Sequence, residues 1–290
     1  MIEIENFLDT QNELGEGPLW QPLEQALYWV NVAQNNYAVY RWYAATGGIE
    51  KFDFDLPVTA LGMRDSGGFV AATKRGFAFW SPADNALDFI GDPEADRPDT
   101  RFNDGAVDGQ GRFWAGTMMP DRETSSLYVL DAEGQVHQMD TGMIVSNGLG
   151  WSPDQKTMYF TDSFRHTIYA YDFDPVSGAI KNRRPFVFDP DDAGVPDGLA
   201  VDSEGFVWSV RCGGWKITRY GPAGNVERQI RLPVQCPTSG AFGGKNLDEL
   251  YITTSRSLVR DGTLGDQPLA GNILRLRPGI RGMAEPLFKG

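Results

Sequence analysis

The sequence predicts an all-β fold, specifically a six-bladed β-propeller with four-stranded blades. Three observations predict it. Long helical periodicity is missing, and what recurs is a strand of alternating or aromatic residues bounded by Gly, Asp, Asn or Pro. Glycine at 34 of 290 residues, 18 prolines and 12% aromatics favour short strands joined by tight turns. The strand pattern also repeats: aligned on Tyr28, Val70, Trp114, Tyr159, Trp208 and Tyr251, the spacings are 42, 44, 45, 49 and 43 residues. Four strands recurring every ~40–50 residues are the mark of propeller blades.

The elements follow in order from those anchors. The second strand of each blade is expected at Ala26–Val32, Gly68–Thr73, Arg112–Met118, Thr157–Thr161, Phe206–Val210 and Glu249–Thr253. A third strand follows, as at Ala38–Tyr43, Thr167–Tyr171 and Lys216–Tyr220, then a weaker fourth, as at Ile49–Phe54 or Val226–Leu232. The sixth repeat runs short of chain after Asn272–Leu276. Since an open array would leave a bare sheet edge, the N-terminal Ile2–Leu8 is expected to supply the outer strand of the last blade, shared with Ala284–Lys289. No linker-like composition shift divides the repeats, so residues 1–290 read as a single domain.

Composition narrows the function classes. With 26 Lys+Arg against 39 Asp+Glu the net charge is −13, which opposes binding to nucleic-acid phosphates. No apolar run approaches the ~20 residues of a membrane span, and Met1–Thr10 carries acids where a signal peptide carries a basic and then an apolar region. A cytoplasmic monomer with no nucleic-acid or membrane partner is expected. Cys212 and Cys236 are the only cysteines, and two reduced thiols are expected rather than a disulfide. His137 and His166 are the only histidines and are expected at the surface in separate strands, so neither a Ser–His–Asp triad nor a His-rich zinc site has its parts.

The repeat alignment locates a candidate site. The start of each innermost strand is occupied by Glu16, Thr59, Asn103, Asn147, Asp197 and roughly Gly240. An apolar residue stands four positions later in the first five: Trp20, Met63, Val107, Trp151 and Val201. Innermost strands run beside the propeller axis, so these positions meet in one ring. Asn-Gly and Asp-Gly are common turn dipeptides when taken singly. Four polar members at one repeat phase point instead to a hard divalent cation, since crowded carboxylates need a cation or proton between them.

The motifs then become recognisable. Gly15-Glu16-Gly17-Pro18-Leu19-Trp20, Arg101-Phe102-Asn103-Asp104-Gly105, the run from Gly111 to Met118, Ser146-Asn147-Gly148-Leu149-Gly150-Trp151 and Pro196-Asp197-Gly198-Leu199 resemble the senescence-marker-protein/gluconolactonase family. That family includes regucalcin, bacterial sugar lactonases and luciferin-regenerating enzymes, and its fold is a six-bladed propeller. The resemblance runs from about Leu14 to the C-terminus. It implies that Glu16, Asn147 and Asp197 ligate one divalent metal, and that Arg101 and Asn103 contact the hydroxyls or ring oxygen of a bound sugar lactone. Family members often carry a glutamate after the Gly-Thr-Met element. This chain has Met119, Pro120 and Asp121 there, with Asp121 and Glu123 as replacements or as plain surface acids.

The chemistry expected from this set is hydrolysis of an aldonolactone such as glucono-, xylono-, arabino- or galactonolactone. Asp197 would accept the proton of the attacking water, with a hydroxide on the cation as the alternative nucleophile. Calcium is expected ahead of zinc, manganese, magnesium or ferrous iron. Phosphotriester hydrolysis, or calcium binding without turnover, are the competing readings. A surface salt bridge to Asp99 or Asp104 competes with the substrate role for Arg101.

Overall fold

The computed structural model describes residues 2–260 and 263–290. Six four-stranded antiparallel sheets form a ring of propeller blades. Strand β1 (Ile4–Leu8) stands apart in sequence from the blade it completes. Blade 1 holds β2 (Gly15–Gln21), β3 (Ala26–Asn31), β4 (Ala38–Tyr43) and β5 (Ile49–Asp53); blade 2 holds β6 (Val58–Met63), β7 (Phe69–Thr73), β8 (Gly76–Trp80) and β9 (Leu87–Gly91). Blade 3 runs from β10 (Arg101–Val107) through β11 (Phe113–Met118) and β12 (Ser125–Leu130) to β13 (Val136–Met143). Blade 4 is β14 (Ser146–Trp151), β15 (Thr157–Asp162), β16 (Thr167–Phe173) and β17 (Ile180–Phe188). Blade 5 is β18 (Val195–Val201), β19 (Val207–Cys212), β20 (Lys216–Tyr220) and β21 (Val226–Arg231). Blade 6 has β22 (Pro237–Gly243), β23 (Glu249–Thr254) and β24 (Ile273–Leu276), with β1 as its fourth strand.

The ring closes where the repeat count requires. Ile4 pairs with Leu276, Glu5 with Arg275 and Asn6 with Leu274, so the first strand of the chain covers the edge of the last. The C-terminal part of the closure expectation is overturned. Ala284–Lys289 joins no blade; it lies across the lower end of the propeller, because β1 already satisfies the hydrogen-bonding edge of β24.

Six apolar clusters hold the blades together, one for each blade-to-blade interface. The cluster between blades 6 and 1 carries the closure. Trp20 and Tyr251 stack with ring centroids 5.8 Å apart, and Phe7 of β1 meets Trp42 edge-on at 4.7 Å. All six anchor residues are buried, which is why they repeat. On the lower turns of blades 3 and 5 a buried aspartate organises the hairpin. Asp108 accepts from the indole of Trp114 at 2.9 Å and Asp202 from that of Trp208 at 2.8 Å, and each also takes backbone N–H groups of its own turn.

Two smaller expectations fail. Cys212, the last residue of β19, and Cys236, just before β22, are joined by a disulfide. They are 24 residues apart in sequence, but the upper ends of neighbouring blades place them side by side. His137 lies exposed on β13 beside Asp131, as expected of a surface residue, whereas His166 is not in a strand. It occupies a left-handed turn after the 3-10 turn Ser163–Arg165. Among the described residues no helix is long and apolar enough to cross a membrane.

Candidate active site

The six innermost strands, β2, β6, β10, β14, β18 and β22, surround the axis and share one device. Each shifts register against its hairpin partner near its upper end: between Glu16 and Leu19, Val58 and Ala60, Phe102 and Asp104, Ser146 and Leu149, Pro196 and Leu199, and Pro237 and Ser239. Such bulges bend a strand and re-aim a side chain. Glu16, Thr59, Asn103, Asn147 and Asp197 lie at or beside these shifts. The sixth member is corrected from Gly240 to Thr238. The anchors of blades 1 to 5 pair with Leu19, Gly62, Ala106, Gly150 and Ala200, each three residues after the ring position, and Tyr251 pairs with Ala241. Thr238 donates to the carbonyl of Gly15 at 2.5 Å, so the sixth member ties the ring across the closing interface.

The glycines beside the ring residues are not turn glycines. Gly148 and Gly198 lie inside β14 and β18, and a Cβ would come within 2.3 Å of the Leu199 nitrogen and 2.1 Å of Ser239 Oγ respectively. They let neighbouring inner strands approach closely enough to bring the polar side chains together.

Around the upper opening the residues interlock. Asn147 is buried; its Nδ2 donates to Ser163 Oγ at 2.8 Å, which fixes the amide, and its Oδ1 accepts from Asn103 Nδ2 at 3.2 Å. Asn103 Nδ2 also donates to the carbonyl of Ser146 at 2.7 Å, and its Oδ1 accepts from Arg101 Nη1 at 2.7 Å. Arg101 Nη1 reaches the carbonyl of Phe102 as well. Arg101 forms no ion pair with Asp99 or Asp104, so the surface-bridge reading of this residue fails.

The electrostatics confirm that the carboxylates converge. Burial first, then the charges of Asp197 and Asp104, push the Glu16 carboxyl well above the usual range. Burial and Asp104 do the same to Asp197. Burial lifts Asp104 to about 6, and it draws the Arg101 guanidinium down to about 10 against the opposing pull of Glu16 and Tyr37. Asp104 is the residue that sequence reasoning passed over as a functional one. Its signal was available: it directly follows Asn103 in the same bulge. Ser163 and Tyr37 come from upper loops with no repeat phase, and nothing in the sequence marked them.

The donor set fits a hard divalent cation. Asp197 Oδ1 is buried with no hydrogen-bond partner, beside a second carboxylate that it repels and an amide held in one orientation. A cation bound by Glu16, Asn147 and Asp197 would satisfy the orphan oxygen and relieve the repulsion. No cluster of three His, Cys, Asp or Glu side chains able to hold a metal occurs among the described residues. Glu123 does not join it. It is exposed and paired with Arg165 at 2.7 Å, and Asp121 is exposed in the same loop.

Residues 14–256 match the model of the SMP-30/Gluconolactonase/LRE-like region. The chain belongs to that family. Among its relatives are regucalcin of Oryctolagus cuniculus, 33% identical over all of this chain and 99% of that protein, and the 6-deoxy-6-sulfogluconolactonase of Pseudomonas putida, 36% identical over 96% of this chain and 95% of that one. The fold is similar to that of a luciferin-regenerating enzyme, with a TM-score of 0.92 at 27% identity and full coverage of both chains. It is equally similar to a calcium-binding protein, regucalcin, of Agrobacterium tumefaciens, with a TM-score of 0.92 at 26% identity over 97% of this chain and 96% of that one.

Proposed function

We propose that this member of the SMP-30/gluconolactonase family is a divalent-metal-dependent lactonase that opens a small sugar-acid lactone to the free acid. The observation that carries the reading is the unpaired, buried Oδ1 of Asp197 among Glu16, Asn147 and the Arg101–Asn103 pair. The names of two relatives, the Pseudomonas putida sulfogluconolactonase and the calcium-binding regucalcin of Agrobacterium tumefaciens, support lactone chemistry and a divalent cation in turn.

Glu16, Asn147 Oδ1 and Asp197 would hold the cation, calcium being the first candidate. When bound, the cation supplies a Lewis acid that polarises the lactone carbonyl and offsets the charge developing on its oxygen. Arg101 has its Nη1 committed to Asn103 and Phe102, which leaves Nε and Nη2 for the hydroxyls or ring oxygen of the substrate. Asn103, held by Ser146, keeps that guanidinium in place. Asp197 takes the proton of the attacking water on the carboxylate oxygen that does not face the cation and returns it to the ring oxygen as the acyl C–O bond breaks. The closed ring acts as one domain and as a monomer.

The test is to strip the protein with chelator, restore single metals, and offer a panel of aldonolactones with and without an anionic 6-substituent in weakly buffered indicator. Acid release well above the spontaneous rate, dependent on the restored metal, is expected. Release no faster than spontaneous hydrolysis for every lactone and metal overturns the lactonase reading; metal retained without turnover would leave a binding propeller.

A further inference from the structure

The C-terminal segment beyond β24 has a role that the blade repeat does not explain. It first fastens to the lower turns of blades 5 and 6: Ser203 N–H donates to the carbonyl of Arg281 at 2.9 Å, and Gly282 N–H to that of Leu247 at 2.8 Å. A Cβ on Gly282 would come within 2.2 Å of Phe242 Cβ, so only glycine allows this landing. The segment refastens on the far side of the axis. Phe288 N–H donates to the carbonyl of Met63 at 2.7 Å, its carbonyl accepts from Asp65 at 3.0 Å, and Lys289 N–H donates to Gly111 at 3.0 Å. The Phe288 side chain is fully buried between blades 2 and 3. Residues 283–287 therefore form a strap across the lower end of the channel.

Between this strap and the ring lies a partly open cavity of about 150 Å³, with Asp104 and Ser239 in its wall at the upper end and Glu285 of the strap at the lower. That volume holds on the order of ten waters. Glu285 is exposed and is one of the residues that line this channel. The only other titratable residue in the channel wall, among the described residues, is Asp104, and no cation faces Glu285 there. The surrounding wall lifts the Glu285 carboxyl to about 7.

We propose that the channel is the water and proton route of the hydrolase, with Glu285 relaying protons between the channel waters and the solvent below the strap. The inference rests on the lactonase reading. Each turnover consumes one water, breaks the acyl C–O bond and yields a hydroxyl, a carboxylate and one proton. A lactone seated on Arg101 and Asn103 covers the upper opening, so water and proton need a second way in and out. The strap keeps that way narrow enough to exclude the substrate. Glu285 is thus a positioning and relay residue that never touches the lactone.

The metal-restored protein is assayed from pH 5 to 9 beside Glu285→Gln, Glu285→Asp and Ala200→Leu. Ala200 is a half-buried residue of the channel wall, so leucine there narrows the lumen without touching the ring. Expected for Glu285→Gln is a five- to tenfold fall in kcat, KM within twofold, and loss of the kcat limb that falls below about pH 7. Glu285→Asp should keep that limb, and Ala200→Leu should lower kcat alone. Metal content and Tm should match the parent throughout. A crystal structure should show ordered waters linking Asp104 to Glu285. If Glu285→Gln and Ala200→Leu keep the parental kcat and pH profile, or change KM instead, the route is wrong while the lactonase reading stands. A dry channel also overturns it. Should Glu285→Gln fail to fold, Ala200→Leu and the waters decide. A parent inactive on every lactone removes the lactonase reading and the route together.

Discussion

At the upper end of the channel the inner strands are bulged and present Glu16, Asn103, Asn147 and Asp197. Four residues further along the same strands, ~13 Å lower at strand rise, stand Trp20, Met63, Val107, Trp151, Val201 and, in the corrected sixth position, Phe242, all buried. The two regions use one set of six strands for opposite purposes. The lower end carries no charge in this layer: its side chains are apolar, apart from the buried indole N–H groups of Trp20 and Trp151, and the strap crosses below them. The upper end is left unsatisfied, with an orphan carboxylate oxygen and mutually repelling acids. Stability is concentrated where nothing has to bind, and the electrostatic cost is kept where a cation can relieve it.

The sharpest way to break this contrast is Asp197→Ala. Turnover should fall about 1,000-fold or more, as for loss of a general base that also holds the cation, and metal retention should be lost, read by elemental analysis after desalting. Thermal stability of the metal-free protein should not fall, because a repelling charge has been removed. At the lower end the expected outcome is reversed. Phe288→Ala should lower unfolding stability by about 3 kcal/mol or more in denaturant titration while the purified variant retains its metal.

The acidity of the ring offers a third check. Asp104, lifted to about 6, binds its proton more tightly folded than unfolded. The metal-free protein should therefore be most favoured by this group below pH 4 and should lose about 3 kcal/mol as pH rises from there through 6. Asp104→Asn should flatten that slope, and unfolding midpoints at pH 4, 5 and 6 would show it. The smallest effect expected is from Arg101→Ala: a ten- to hundredfold loss of kcat/KM, about 1.5–3 kcal/mol for a charge-assisted contact, with metal content and Tm unchanged. An unchanged kcat/KM would remove Arg101 from the substrate site.

Much of this architecture was legible because a propeller writes itself six times. Strand positions at Ala38–Tyr43 and Lys216–Tyr220 were read to the residue, since the anchors each pack into an interface and recur for that reason. The ring positions were equally readable in five blades. They slipped by two residues in the sixth, where Thr238 has neither charge nor amide to stand out. What has no repeat could not be read this way. The strap, the Cys212–Cys236 pair and the Ser163 support of Asn147 depend on which loops meet across the ring, and that follows only once the blades are placed. Asp104 was visible but carried no mark of burial in the sequence, and burial is what makes its charge matter.

The pairing of Glu5 with Arg275 spans 270 positions of sequence, and Phe288 meets Met63 across 225. During synthesis at ~5–20 residues per second, blades 2 to 5 can assemble while the chain is still emerging. Neither the seam nor the lower seal can form until residues 273–289 have left the ribosome. Until then the first strand waits unpaired, with Phe7 and Leu8 uncovered. The seam between β1 and β24 and the seal made by Phe288 are thus the last parts of the ring to form, and a change in either segment would delay closure without touching the blades between them.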